Sequence, residues 1–286
     1  YNSMHFFEAK ALQQSGMVYL ELDKIFRQQD DTFIRILNNL RDNKSTPEDV
    51  RRLNQQFKSL DEIQDMMPCI TLTTHNYKAD ELNLRELRSL ASPSFFYDAD
   101  LDREFPESMF PLPPILELKV GARVMFIKND SSGNANYFNG KLATVIQLAA
   151  DEVKVRMDDQ QEEYVLRKED WENKRYQLNA ETKELEEEVI GTFSQYPIKL
   201  AWAVTVHKSQ GLTFDKAIVD VGQAFAPGQV YVALSRLRSL EGLILLTRIQ
   251  TEVIFSDAKV VGFTQEKLTQ QDLAGLLSIH QENYLI

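Results

Sequence analysis

The residues whose types and spacing could do chemistry are concentrated in one short segment. Residues 205–211 read Thr-Val-His-Lys-Ser-Gln-Gly, which places a hydroxyl, an imidazole, an ammonium and an amide close together along the chain. A turn of this kind can aim side chains and backbone N–H groups at one anionic ligand. The same spacing fits a helix that ends at Gly211 and leaves Lys208 in solvent. Spacing alone leaves both interpretations open.

A second segment, residues 228–239, combines a helical apolar pattern with two arginines. Its apolar residues recur at helical spacing and are predicted to be buried, namely Val230, Leu234 and Leu237. Ser235 and Arg236 then point elsewhere. An arginine at the edge of a packed helix can hold a phosphate through two parallel hydrogen bonds. A surface ion pair is the alternative for this arginine.

The elements that would position both segments follow an α/β pattern. Asp30 and Asp31 can cap a helix that runs through Arg41, and Thr46 with Pro47 can begin another helix. The remaining predictions before residue 92 are helices over 5–13 and 76–90 and strands over 17–22 and 69–73. After Pro197 the pattern returns, with helices over 201–210 and 229–237 and strands over 217–221 and 243–247.

The middle of the chain has a different texture. Five of the nine prolines fall within residues 92–114, which predicts a linker or an irregular crossing segment. Short strands are then predicted over 119–128, 142–148, 153–157 and 163–166, a spacing typical of a small β-barrel or sandwich. The acid-rich residues 181–188 are predicted to form a solvated helical face. A β-module therefore interrupts an α/β domain.

Charge and composition limit the classes of partner and location. The formal net charge of −11 argues by itself against a phosphate-bearing partner. Its distribution weakens that argument, because residues 151–188 carry fourteen acidic and seven basic residues whereas residues 193–250 carry three acidic and six basic ones. The single cysteine, Cys69, fits a reducing compartment. Without a long apolar run or an apolar leader in this sequence, we expect a cytoplasmic or nuclear protein and no membrane partner.

Taken together, the two segments resemble motifs V and VI of superfamily 1 DNA helicases of the RecD/Pif-like branch. That branch shows a threonine, an apolar residue and His-Lys-Ser-Gln-Gly, and later Tyr-Val-Ala-Leu-Ser-Arg. Here these are residues 205–211 and 231–236, followed by Arg238 and Gly242. Residues 25–30 are similar to motif IV, and residues 70–76, with Asn83 further on, are similar to the strand and loop that hold a single-strand backbone.

The resemblance implies a fold and a domain order. The fold is α/β, a RecA-like motor domain of the P-loop NTPase type, with a parallel sheet flanked by helices and a small inserted SH3-like β-barrel. We expect residues 1–114 to form its first part, 115–192 the barrel, 193–250 the second part with motifs V and VI, and 251–286 a C-terminal tail. Tyr137, Phe138 and Tyr164 of the barrel are either core residues or duplex contacts.

The resemblance also implies roles for individual residues. Arg236 is expected to act as the arginine finger for ATP hydrolysis, with Arg27 as a second phosphate clamp and Arg238 as the alternative finger. Gln210 and Gly211 are expected on the nucleotide side. The residues expected to bind single-stranded DNA are Thr73, Thr74, Asn76, Thr205, His207 and Lys208. The resemblance to this branch implies translocation from 5′ to 3′. None of these residues indicates a direction by itself.

Two motifs of the branch do not occur in this sequence, the Gly-x-x-x-x-Gly-Lys-Ser/Thr phosphate loop and the Gly-Asp-x-x-Gln sensor. Asp-Glu occurs at residues 61–62, 80–81 and 151–152, but in none of these places does it follow a phosphate loop, as the Mg²⁺-binding pair of the branch does. We therefore expect the C-terminal half of a helicase, with no metal ligands of its own. ATP with Mg²⁺ would bind between it and the N-terminal motor domain of the same protein. The alternative is a non-catalytic nucleic-acid-binding or regulatory module that retains the motor fold.

Overall fold

The structure is a computed structural model that describes residues 5–15, 24–64, 69–158, 162–178 and 185–265. The strand predicted over residues 17–22 lies outside these ranges, as does the tail beyond residue 265. The helices are α1 (Lys10–Ser15), α2 (Asp31–Arg41), α3 (Pro47–Asn54), α4 (Leu60–Gln64), α5 (Asn76–Ser89), α6 (Gln229–Leu234) and α7 (Ala258–Gln265). The strands are β1 (Ile70–Thr73), β2 (Phe95–Asp98), β3 (Asp100–Arg103), β4 (Ile115–Leu118), β5 (Arg123–Phe126), β6 (Leu142–Leu148), β7 (Val153–Met157), β8 (Glu163–Val165), β9 (Glu169–Leu178), β10 (Leu185–Gln195), β11 (Ile198–Leu200), β12 (Ala203–Thr205), β13 (Ala217–Asp220) and β14 (Leu243–Leu245).

A four-stranded parallel sheet organises the α/β part of the chain. Its strand order is β12-β1-β13-β14, and every neighbouring pair is parallel. In this register Thr73 lies beside Thr205 on one side and beside Asp220 on the other. The three strands therefore end side by side, at what we term the carboxyl edge of the sheet. The predicted α/β fold with a parallel sheet is confirmed.

The helices before β1 form where the sequence places their caps. Asp30 accepts a hydrogen bond from the backbone N–H of Phe33 (3.1 Å), which caps α2. Thr46 and Asp49 form a reciprocal capping box at the start of α3, where Pro47 occupies the first turn. The buried face of α2 joins the core beneath the parallel sheet through Phe33, Ile36, Leu37 and Leu40. Both predicted helices are confirmed.

Helix α5 contacts β1 and β12 and is fastened to the latter by one amide side chain. Asn83 Nδ2 donates to the carbonyl of Ala203, and the Ala203 N–H donates to Asn83 Oδ1, both at 2.9 Å. Strand β12 is the last strand on its side of the sheet, and Trp202 and Val206, which flank it, form backbone hydrogen bonds with Thr71 and Thr73 of β1. Asn83 thus satisfies the outward-facing peptide groups of an edge strand, as a further strand would.

A second core lies in the middle of the chain. Strands β11-β5-β6-β7-β8 form an antiparallel sheet, and β2 pairs with β4. We term these strands the β-module. Its interior includes Phe126, Tyr137 and Ile198, whereas Phe138 is 56% exposed. Tyr137 is therefore a core residue, and its ring stacks on that of Phe126.

Two sequence predictions in this region are wrong. Residues 92–114, predicted as a linker or an irregular crossing segment, contain the strands β2 and β3. The acid-rich residues 185–188, predicted as helical, lie in β10, which forms a long hairpin with β9. Acidic side chains suit a strand there because basic residues face them, as Lys174 faces Glu187 at 3.0 Å.

The predicted helix over residues 201–210 is also wrong. The segment forms the short strand β12 followed by a 3₁₀ turn, His207–Ser209. Residues 203–206 are buried on both faces of the sheet, and a short, continuously apolar strand of this kind cannot be distinguished from a buried helix by periodicity. Helix α6 begins at Gln229 as predicted but ends at Leu234, three residues early.

Candidate functional site

Arg27 lies against the loops that lead into β13 and β14. Its Nε donates to the hydroxyl of Thr213 (2.9 Å) and its Nη1 to the carbonyl of Ser235 (2.7 Å). The neighbouring Gln28 is buried and donates to the carbonyls of Ser235 and Leu237. The segment before α2 is therefore fixed to residues 235–237, which precede β14. This contact lies at the amino edge of the parallel sheet, the edge at which its strands begin.

Arg236 and Arg27 both donate hydrogen bonds to Ser235. Arg236 Nε donates to the carbonyl of Val232 (3.0 Å) and its Nη2 to the Ser235 hydroxyl (2.8 Å). Burial, followed by the charge of Arg27, lowers the pKa of Arg236. Burial also lowers the pKa of Arg27, which Tyr231 raises and Arg238 lowers to smaller extents. We term Arg27 and Arg236 the arginine pair.

No described carboxylate lies within ion-pair distance of the arginine pair. Arg238, the alternative finger, differs in this respect because its Nε is 2.8 Å from Asp215 and both side chains are exposed. The pair is thus a half-buried cluster of positive charge with no acidic partner among the described residues. Its two planar guanidinium groups suit phosphate oxygens, so the residues present fit the phosphate end of a nucleotide.

Gln210 and Gly211 follow the 3₁₀ turn on the way to Thr213. Both are exposed, and Gly211 has a positive φ of 86°, a backbone conformation that glycine adopts readily. In the described parts of the chain neither residue is hydrogen-bonded to the arginine pair. The structure therefore places them on the connection between the two edges of the sheet and not at the arginines themselves.

The six residues predicted to bind DNA all lie at the carboxyl edge, but they differ in exposure. Thr73, Thr74 and Thr205 are at most 5% exposed. The Thr74 hydroxyl is hydrogen-bonded to His75 Nδ1 (2.7 Å), and that of Thr73 is buried without a described partner. Asn76, His207 and Lys208 are exposed. The threonines thus build the edge, and the other three residues present polar groups from it.

The turn after β12 explains why His207 and Lys208 point outward. Thr205 Oγ1 accepts a hydrogen bond from the backbone N–H of Lys208 (3.3 Å), and the fully buried Ser209 donates to the carbonyl of Val206 (2.7 Å). The Val206 N–H in turn donates to the Thr73 carbonyl (2.8 Å), which joins the turn to β1. Neither His207 nor Lys208 forms an ion pair with any residue that the structure describes.

Three aromatic residues at the same edge were not singled out in the sequence. The His75 ring lies 4.8 Å from that of Phe225 and 5.4 Å from that of Tyr77, measured between centroids. Phe225 is 63% exposed and Tyr77 59% exposed. Phe225 lies in the loop after β13, about 150 positions from His75, so no local pattern could have joined them. Exposed rings beside polar groups are the usual platform for unpaired bases.

Two further observations bear on ligands and location. The described residues contain no cluster of three or more His, Cys, Asp or Glu side chains that could hold a metal ion. None of the described helices is long and apolar enough to cross a bilayer.

Comparison with known proteins identifies the family. The chain is 31% identical over 257 residues to the ATP-dependent DNA helicase Pif1 of Bdellovibrio bacteriovorus, a match that covers 88% of this chain. It is 33% identical over 247 residues to human ATP-dependent DNA helicase PIF1, covering 84% of this chain. The chain is homologous to the Pif1 family of DNA helicases. No protein-family model matches it.

Solved Pif1 structures have the same fold over most of the chain. Pif1 of Bacteroides sp in complex with ADP-AlF4 is 37% identical, covers 93% of this chain and superposes with a TM-score of 0.80. Bacteroides Pif1 bound to ssDNA is 36% identical, with the same coverage and a TM-score of 0.66. The chain spans 55% of the Bdellovibrio relative, 36% of the human one and 60% of each of these structures.

Proposed function

We propose that this chain is the C-terminal motor half of an ATP-dependent DNA helicase that moves 5′ to 3′ on single-stranded DNA. Residues 1–114 and 193–250 would form the motor domain around an inserted SH3-like barrel at 115–192, with a tail at 251–286. The N-terminal motor domain of the same protein would supply the phosphate loop and the Mg²⁺ ligands. The homologous Pif1 helicases are longer than this chain, which supports this division.

The observation that carries the proposal is the arginine pair, which has no carboxylate partner in the part of the chain that the structure describes. Arg236 would act as the arginine finger, neutralising charge that develops on the transferring phosphoryl group, and Arg27 would clamp the same phosphates. Both guanidinium groups are held in place by backbone carbonyls and hydroxyls, which leaves their charge uncompensated. Such preorganised charge stabilises a transition state more than it stabilises bound ATP.

The test compares Arg236→Ala with Arg238→Ala in the full-length protein. An arginine finger contributes about 10³ to 10⁵ in rate, so Arg236→Ala should abolish DNA-stimulated ATP hydrolysis while ATP binding stays within a few fold. Arg238, paired with exposed Asp215, is the matched control and should keep most of the turnover. Undiminished turnover in Arg236→Ala, or its loss only in Arg238→Ala, would contradict the assignment.

The carboxyl edge would hold the DNA strand. Asn76, His207 and Lys208 would contact phosphates, positioned by Thr73, Thr74 and Thr205, and the exposed rings of Tyr77 and Phe225 would stack on bases. Contacts of these types fix position without reading sequence. Double substitution of His207 and Lys208 by Ala should therefore weaken binding of all single strands alike, in a titration with labelled oligonucleotides of different sequence.

Motif V would link the two sites. The segment from Thr205 to Thr213 runs directly from the carboxyl edge to the contact of Arg27, and Gln210 and Gly211 lie within it. A change in the nucleotide that moves Arg27 would therefore reach the DNA turn through a few residues of backbone. The sequence that precedes this segment in the gene offers an independent test, because a non-catalytic binding module would have no phosphate loop there.

A further inference from the structure

A groove continues from the carboxyl edge toward the β-module. It has a volume of about 790 Å³ and runs between α5, the proline-rich segment before β4, and β11. Asn76, Thr205 and Lys208, which belong to the proposed DNA edge, are among the residues that line it. The lining also includes apolar side chains, among them Leu84, Pro113 and Ile115. The lining thus combines polar groups that belong to the proposed DNA edge with apolar side chains that suit sugars and bases.

Lys199 lines this groove from the middle of β11. Strand β11 pairs with β5 so that Lys199 lies opposite Met125, while the flanking Ile198 is buried in the interior of the β-module. Because side chains alternate along a strand, Lys199 faces away from that interior. It is only partly exposed and forms no ion pair with any described residue. Among the described residues, Lys199 therefore has no carboxylate within ion-pair distance.

The charges around Lys199 leave room for an anion. The charged residues that line the groove are Lys199, Lys208, Asp80 and Glu117. Glu117 accepts a hydrogen bond from Ser94 (2.7 Å). Burial and then the charge of Lys208 lower the pKa of Lys199 to about 8, and Asp80 opposes this shift by less. Around the ammonium group, repulsion from Lys208 therefore exceeds attraction to Asp80.

We propose that the groove carries the DNA strand from the carboxyl edge onto the β-module, with Lys199 as a phosphate contact that binds only when protonated. This inference rests on the proposed function, and it adds a residue outside the helicase motifs together with a dependence on pH. The strand order β13-β1-β12 supports this path. Phe225 follows β13, Thr74 follows β1 and Lys208 follows β12, so these residues succeed one another along the carboxyl edge toward the groove, which β12 lines.

The test measures single-strand affinity of the full-length protein against salt and pH for Lys199→Gln, Lys199→Arg and the control Lys44→Gln, which removes an exposed charge outside the groove. Loss of one phosphate contact reduces the slope of log K against log salt by about 0.7 for a single strand. Lys199→Gln should show this reduction and Lys44→Gln should not. Raising pH from 7 to 9 takes a lysine of pKa about 8 from about 90% to 10% protonated, so wild-type affinity should fall by up to about tenfold.

Lys199→Arg separates this effect from all other titrations, because arginine stays charged throughout the range. It should keep wild-type affinity at pH 7 and lose the tenfold fall. If both Lys199 variants keep the wild-type salt slope and pH profile while substitution of His207 and Lys208 weakens binding, the role of Lys199 is overturned and the proposed DNA edge is retained. Unchanged binding in all of these variants would overturn the DNA edge as well.

Discussion

Asn83 and Asn76 lie on the same helix, and the structure predicts opposite consequences for replacing them by alanine. Asn83 is 8% exposed and makes two hydrogen bonds to the peptide groups of Ala203, whereas Asn76 is exposed at the start of α5. Removing the Asn83 amide leaves a buried N–H and a buried C=O without partners. Asn83→Ala should therefore destabilise the protein, and Asn76→Ala should affect DNA binding and not stability.

The size of the effect follows from those two groups. Each buried polar group left unpaired costs about 1–3 kcal/mol, which gives roughly 2–6 kcal/mol for the pair. Asn83 also lines the groove beside α5, so water can enter the vacated space and satisfy part of the loss. We expect a decrease in the free energy of unfolding of about 2–4 kcal/mol for Asn83→Ala, and less than about 0.5 kcal/mol for the exposed Asn76→Ala.

Urea titration followed by tryptophan fluorescence measures this difference. The chain has two tryptophans, and Trp202 adjoins Ala203 directly, so a Trp171→Phe background confines the signal of this chain to the affected strand. A lower midpoint with an unchanged slope indicates a loss of stability and not a change in compactness. If both asparagine variants unfold at the same midpoint, the Asn83 amide does not hold the edge of the sheet and the reasoning is refuted.

Two further substitutions test the packing and the electrostatics of the α/β part. A Cβ atom at Gly242 would lie far inside van der Waals contact with the carbonyl oxygen of Asp215, so Gly242→Ala should cost about 1–3 kcal/mol, and an unchanged melting temperature would contradict the close approach. Burial acts to raise the pKa of Asp49, but hydrogen bonds from Asn39 and Thr46 outweigh it and the net pKa is lowered. A carboxylate with a lowered pKa stabilises the fold above its unfolded-state pKa of about 4 and loses this effect as pH falls. The cost of Asp49→Asn, measured by urea titration, should therefore be larger at pH 7 than at pH 3.

Candidate site residues could be singled out in the sequence because the functional groups of each motif lie within a few positions of one another. The segments around Arg236 and Lys208 each combine several functional groups within a few positions, and Arg27 precedes a helix with clear caps. Their positions could not be predicted in the same way. Arg27 and Arg236 both form hydrogen bonds with Ser235. The bond from Arg27 spans 208 positions of sequence, and no periodicity of the sequence encodes a contact over that range.

Asn83 shows a related limit. Its sequence context places it near the strand and loop expected to hold DNA, and it does lie on the helix that follows them. Its amide nevertheless faces β12 and not solvent, because a strand at the edge of a sheet needs partners for its outward peptide groups. Only the strand order, with β12 outermost, reveals that need. The incorrect prediction of a helix over residues 201–210 leaves out β12, and without that strand the sequence gives no reason for the Asn83 amide to pair with the peptide groups of Ala203.

The net charge of −11 illustrates why a total is a poor guide to a partner. Acidic residues of the β-module and its hairpin face lysines across neighbouring strands, as Glu163 faces Lys154 at 2.6 Å and Glu187 faces Lys174 at 3.0 Å. These carboxylates are engaged locally, and solvent and salt screen the rest of their field within roughly 10 Å. The arginine pair, by contrast, is half-buried and lacks a described acidic partner, so its field is less screened. A phosphate group close to these arginines therefore interacts mainly with them, whatever the sum over the whole chain.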